Sequence, residues 1–75
     1  MSGLNFLQIR ILNICAISSH SEREIATSLD AELADVINAT RPLQKEKLLE
    51  SKKTDNGITY YFTTKLGRDQ LKHGI

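Results

Sequence analysis

The chain has little of what staples, kinks or anchors a protein. Its 75 residues include one Cys, one Pro and no Trp, and aromatic residues make up 5%. A lone Cys15 excludes an internal disulfide. Set between Ile14 and Ala16, it reads as a small core residue rather than a reactive thiol. No apolar run approaches the ~18 residues of a membrane span, and no charged leader precedes a cleavage site. A cytoplasmic protein without a membrane partner is therefore expected. Internal repeats, linkers and low-complexity stretches are absent. So are a nucleophile–base pair, a Gly-rich phosphate loop and a His/Cys cluster at metal spacing. His20 reads as a turn residue before a helix, and His73 falls in the tail. The expectation is a non-enzyme with no cofactor, no metal and no evident small-molecule effector.

What is present fits one globular domain spanning residues 1–75, with 40% hydrophobic and 25% charged residues. A core this small is marginal and gains from a partner. The formal net charge of +1 hides an asymmetry. Residues 1–40 carry two basic residues against five acidic, a balance of −3, whereas residues 41–75 carry eight against four, a balance of +4.

Apolar spacing predicts a first helix over 4–17. Leu4, Leu7, Ile11, Ile14 and Cys15 share its packing face, and Phe6, Ile9, Asn13 and Ile17 cluster nearly opposite. A small domain does not need both faces, so the second group is the candidate dimer interface. Ser18-Ser19-His20 reads as a polar break. Ser21 followed by Glu24 is a capping box opening a short helix over 21–29, with Ile25, Ala26 and Leu29 on its inner face. After an Asp30-Ala31-Glu32 turn, a longer helix over about 32–49 buries Val36, Ala39 or Thr40, and Leu43. Its opposite face carries Ala34, Asn38, Arg41 and Lys45, side chains suited to base edges and phosphates in a major groove. Pro42 removes a hydrogen bond to Asn38, and a kink there is expected in preference to a break.

Leu48–Thr54 and Ile58–Thr64 read as a hairpin around Asp55-Asn56-Gly57, because Asn-Gly accepts the positive φ of tight turns. Lys52, Lys53, Thr54 and Asn56 at its tip are candidate contacts to a nucleic-acid backbone. Tyr60 and Tyr61 read as cross-strand packing. Thr64 can cap a last helix whose buried positions are Leu66 and Leu71.

Residues 60–71 resemble the Tyr-x-Leu-Thr-x-x-Gly-x-x-x-Leu pattern that closes the wing in MarR- and PadR-like winged-helix regulators. Phe62 stands at its Leu and Thr63 at its Thr, with Gly67 and Leu71 matching. Glu24-Ile25-Ala26, Leu29, Ala31, Val36, Leu43 and the Leu48-Leu49 pair resemble the MarR-type helix-turn-helix, so the likeness covers roughly residues 21–71. Two departures stand out: Lys47 replaces the usual Gly after the recognition helix, and Pro42 lies inside it. The resemblance implies an α+β winged helix with a three-helix core, a two-stranded wing and a short C-terminal helix. It also implies a dimeric regulator that binds double-stranded DNA through helix 32–49 and wing 50–64. The other functional class that the fold allows is a protein-interaction module that binds no DNA.

Overall fold

A computed structural model describes residues 3–73. The elements run α1 (Phe6–Ile17), β1 (His20–Ser21), α2 (Glu22–Leu29), α3 (Leu33–Lys45), β2 (Leu49–Lys53), β3 (Thr59–Thr63) and α4 (Lys65–Lys72). The first helix begins two residues later than its apolar pattern predicts, because Asn5 caps it. The Asn5 side chain accepts from the Gln8 amide at 2.8 Å, and Gln8 returns the bond to the Asn5 amide at 3.0 Å. The Gln8 side chain also donates to the Ala39 carbonyl at 3.3 Å, which ties the start of α1 to α3. The buried side of α1 is turned relative to the expected face. Ile11 and Cys15 are buried, but so are Gln8 and Leu12, while Leu4, Leu7 and Ile14 pack partly buried at the margin.

The Ser21–Glu24 capping box opens α2 as its spacing predicts, with bonds of 3.2 and 2.9 Å. Asp30 ends α2 in the left-handed region at φ 53°, where its short polar side chain is tolerated. The following helix is shorter than its apolar pattern predicts, Leu33–Lys45 rather than 32–49, and Pro42 does not break it. The pattern overran because Leu48 and Leu49 are buried from a different element. Lys47 takes φ 63°, donates to the Gln44 carbonyl at 3.0 Å, and turns Leu48 so that its amide reaches Leu43 at 2.9 Å. Lys47 thus performs the left-handed stop for which Gly is the usual residue.

The expected two-stranded wing is β2 and β3, and a third strand joins it to give the order β1-β3-β2, all antiparallel. The presumed polar break supplies the extra strand, pairing His20 with Tyr61 and Ser21 with Tyr60. Two residues are too few to show a strand period. In the wing, Asp55, Asn56 and Gly57 form a three-residue loop. Thr54 and Ile58 close it by a 2.9 Å bond, and Gly57 alone has positive φ, at 83°. The hairpin turn therefore falls where expected, with the positive φ of the Asn-Gly step carried by the glycine.

The corner from β3 into α4 corrects the register of the wing pattern. Tyr61 and Thr63 face inward and are buried, whereas Phe62 lies on the other side of the strand. Thr64 caps α4 as expected, so the Thr of the pattern falls on Thr64 rather than on Thr63. The Thr64 hydroxyl accepts from the Gly67 amide at 3.0 Å and donates to the Lys47 carbonyl at 2.7 Å. The Thr63 hydroxyl instead donates to the Leu12 carbonyl at 2.6 Å inside the core. The pattern therefore aligns with Tyr61, Thr63, Thr64, Gly67 and Leu71. Leu71 packs against the core, but Leu66 is 50% exposed. The buried residue of α4 is Gly67, whose missing side chain leaves room for the Leu48 carbonyl.

Gly67→Ala should therefore destabilise the domain by about 1–3 kcal/mol, despite the better helix propensity of Ala. The added Cβ would collide with the Leu48 carbonyl oxygen and lie 2.7 Å from Thr63 Cγ2. Urea denaturation would measure the loss, and an unchanged or higher midpoint would contradict this packing.

Two buried protons predict alkaline sensitivity. Burial pushes the Cys15 thiol from 9.0 up to about 12. Burial, with the hydrogen bond and charge of Glu22 beside it, pushes the Tyr61 hydroxyl from 10.0 up to about 12. Both folded values exceed the unfolded ones. The stabilisation is thus complete below about pH 9 and is lost as pH rises toward 12, with each group adding a slope of about 1.4 kcal/mol per pH unit. Melting temperatures between pH 8 and 11 should fall, and less steeply for Cys15→Ala. Equal slopes would refute the assignment.

Candidate nucleic-acid interface

The proposed reading face occupies one side of α3. Val36 and Leu43 are fully buried, and Ala39 and Thr40 nearly so. At about 100° per residue, Ala34, Asn38, Arg41 and Lys45 fall within roughly 60° of one another on the opposite side, and all four are exposed. None of the four makes a side-chain hydrogen bond within the described residues. Asp35 lies about 100° around the helix from Ala34, on the flank of the face. Glu32 precedes the helix as its N-cap residue and makes no side-chain capping bond. Their charge favours the positive end of the helix dipole.

The wing is held next to the end of this helix. The Gln44 side chain donates to the Ser51 hydroxyl at 3.3 Å, and the α3–β2 turn is closed by Lys47 and Leu48. Strand alternation then separates the two wing lysines. Ser51 pairs with the inward Tyr61, so Ser51 and Lys53 lie on the α3 side of the sheet. Lys52 pairs with Tyr60 and lies on the opposite side, in a cleft with Ser19, Thr54, Tyr60 and Phe62. Thr54 is committed to closing the loop. Its hydroxyl donates to the Ile58 carbonyl at 3.2 Å and accepts from the Ile58 amide at 3.3 Å. Asn56 is exposed at the tip.

A long-range bond joins the wing to the start of α2. The Tyr61 hydroxyl donates to the Glu22 carboxylate at 2.8 Å, so Tyr61 does more than pack across strands. Beside this bond, Arg23, Leu33 and the wing residues Gly57, Ile58 and Thr59 line a shared cleft. Arg23 is exposed there and is a cation that the sequence pattern did not single out. Only the pairing of β1 with β3 brings it to the wing, so no local spacing signals it.

On α1, Phe6 is 74% and Ile17 85% exposed, and Asn13 is exposed with them. Arg10 stacks over the Phe6 ring at 5.6 Å. Ile9 is half-buried. It lies near the side of Ala16, whose carbonyl accepts from the Arg68 guanidinium of α4 at 3.0 Å. Leu71 packs on the core, and residues 74 and 75, the rest of the tail that could cover the Phe6 patch, lie outside the described residues. Among the described residues, no three His, Cys, Asp or Glu gather as a metal site, and no helix is long and apolar enough to cross a membrane.

No protein-family profile and no curated protein matches the sequence. Solved structures do match in shape. A variant of ZitR from Lactococcus lactis is 24% identical with a TM-score of 0.87, covering 96% of this chain and 51% of that one. The transcriptional regulator BldR from Sulfolobus solfataricus is 19% identical with a TM-score of 0.90, covering 97% and 54%. A MarR-family transcriptional regulator from Silicibacter pomeroyi is 19% identical with a TM-score of 0.87, covering 95% and 49%. The chain spans about half the length of these structures. It has the winged-helix fold, and the likeness to MarR-type regulators carried by residues 21–71 extends across the described structure.

Proposed function

We propose that this chain is a small transcriptional regulator that binds double-stranded DNA, acting in the cytoplasm as one domain and as a homodimer, with neither catalysis nor a cofactor. The observation that carries the reading is the uncommitted, exposed line Ala34–Asn38–Arg41–Lys45 on α3, directly opposite that helix's fully buried residues. The fold shared with transcriptional regulators supports it. In this reading α3 enters the major groove and Asn38 and Arg41 meet base edges. Lys45, Lys53 and Asn56 meet phosphates on the same side, Ala34 lets the backbone approach, and Lys52 and Thr54 reach the backbone only from the wing's other side.

Binding should be strongly salt-dependent. With about four phosphates neutralised, log affinity should fall against log salt with a slope of roughly −3 to −4. Arg41→Ala should cost about 1–3 kcal/mol at a preferred site and relax one base position, whereas Lys53→Ala should weaken all duplexes alike. Fluorescence titration at two salt concentrations measures both effects. Absence of duplex binding at low salt would favour the other reading, a winged helix that docks a protein through exposed Phe6 and Ile17.

The same two side chains, with Ile9 and Asn13 beside them, are the proposed dimer contact. A two-fold pair would set two copies of α3 on half-sites about one helical turn apart. Phe6→Glu and Ile17→Glu should each abolish association in sedimentation equilibrium and leave the circular dichroism unchanged, because both residues are exposed. A wild-type chain that stays monomeric at high micromolar concentration would remove the dimer from the proposal.

A further inference from the structure

The face of the sheet turned away from the helices carries two aromatic rings to which the duplex reading gives no role. Tyr61 and Thr63 fill the inward positions of β3, so Tyr60 and Phe62 stand side by side on the outward face, each half-buried. Lys52 lies opposite Tyr60, and Glu50 lies opposite Phe62. Ser19, Lys52 and Thr54 complete a cleft of about 310 Å³ around the two rings. At the end of α1, the Arg68 guanidinium is bound to Ala16, three residues before Ser19.

We propose that this outer face binds single-stranded nucleic acid, with two successive bases stacking on Tyr60 and Phe62 and the phosphate between them on Lys52. Alternate residues of one strand are about 6.5–7 Å apart, roughly twice the 3.4 Å rise per base along a duplex strand. The two rings therefore match bases that are splayed apart and cannot both stack on bases still paired. Aromatic rings that line an open cleft on a sheet, flanked by a cation, form a general platform for unpaired bases. Ser19 adds a hydroxyl group at the rim. Glu50 opposes phosphate at the Phe62 end, which places the backbone along the Lys52 side. The surface is distinct from the exposed face of α3, because strand alternation sends Lys52 and Tyr60 to the side opposite Ser51 and its bond to α3.

The test is fluorescence anisotropy of the full chain with labelled oligothymidine and oligouridine of about 12 nucleotides, beside a labelled duplex. Wild type should bind at least one of the single strands, and the two arms distinguish DNA from RNA. Tyr60→Leu and Phe62→Leu keep apolar volume but remove the ring faces. Each should weaken single-strand binding roughly tenfold and leave duplex binding and melting temperature unchanged. Tyr60→Phe should retain single-strand binding. Arg41→Ala should do the reverse of the Leu variants, weakening duplex binding alone. The proposal is overturned if neither single strand binds at low salt, if the Leu variants bind single strands as wild type does, or if Arg41→Ala removes duplex and single-strand binding together. A wild-type chain that binds a single strand but no duplex would instead count against the regulator reading.

Discussion

The corner where β3 runs into α4 holds the other elements in place. Within two residues it reaches α1, the turn that follows α3, and the first turn of α4 itself. The Thr63 hydroxyl bonds to Leu12 inside α1, the Thr64 amide bonds to Leu48 at 3.0 Å, and the Thr64 hydroxyl bridges Lys47 and Gly67. Each such bond adds only about 1 kcal/mol net, so their importance is positional. They lock the turn that follows α3 against the strand that ends the wing. The missing Cβ of Gly67 lets the last helix come close enough to complete the corner. The Arg68 guanidinium then supplies a donor and a positive charge to the Ala16 carbonyl in the last turn of α1, which has no basic residue of its own there.

The outward face of α3 is held at a fixed angle to the wing. Three ties set that angle from different sides. The left-handed Lys47 stop sets where α3 ends, Gln44–Ser51 joins its last turn to β2, and Tyr61–Glu22 joins the strand behind it to the start of α2. With these groups committed to the frame, the side chains of Ala34, Asn38, Arg41 and Lys45 are left to solvent. The same frame places Arg23 and Leu33 beside the returning strand of the wing.

The two faces of the sheet divide the chemistry between them. On the inner face Tyr61 and Thr63 use their hydroxyls to bind other elements while their bodies fill the core. On the outer face Tyr60 and Phe62 remain half-buried beside Lys52, and no other element of the described chain lines their cleft except Ser19. α1 has a similar surplus. It is apolar around most of its circumference, and the core buries only the side of Gln8, Ile11, Leu12 and Cys15. Phe6 and Ile17 stay in solvent, with Arg10 shielding the Phe6 ring.

Signals that act within about four residues were legible in the sequence. The Ser21–Glu24 box, the Thr64 cap, the hairpin loop and the inward spacing of Val36 and Leu43 are local, and they sufficed for the order of elements and for the exposed line on α3; the α+β winged helix itself came from the resemblance carried by residues 21–71. The errors arose where a residue's role depends on a distant partner. Leu48 and Leu49 prolonged the apolar period of α3 because periodicity does not reveal which element buries a residue. The two-residue β1 exists only because β3 pairs with it. The wing pattern was set one residue early on Tyr60, Phe62 and Thr63, because only the bond of Thr63 to Leu12 shows that Thr63 stands at the pattern's apolar position. The bonds that decided these roles span 39 residues from Tyr61 to Glu22 and 51 from Thr63 to Leu12. Local propensity and period establish what each segment can be. The separation of Lys52 from Lys53, the arrival of Arg23 at the wing and the turned face of α1 are set by strand register and packing, which tertiary contact alone decides.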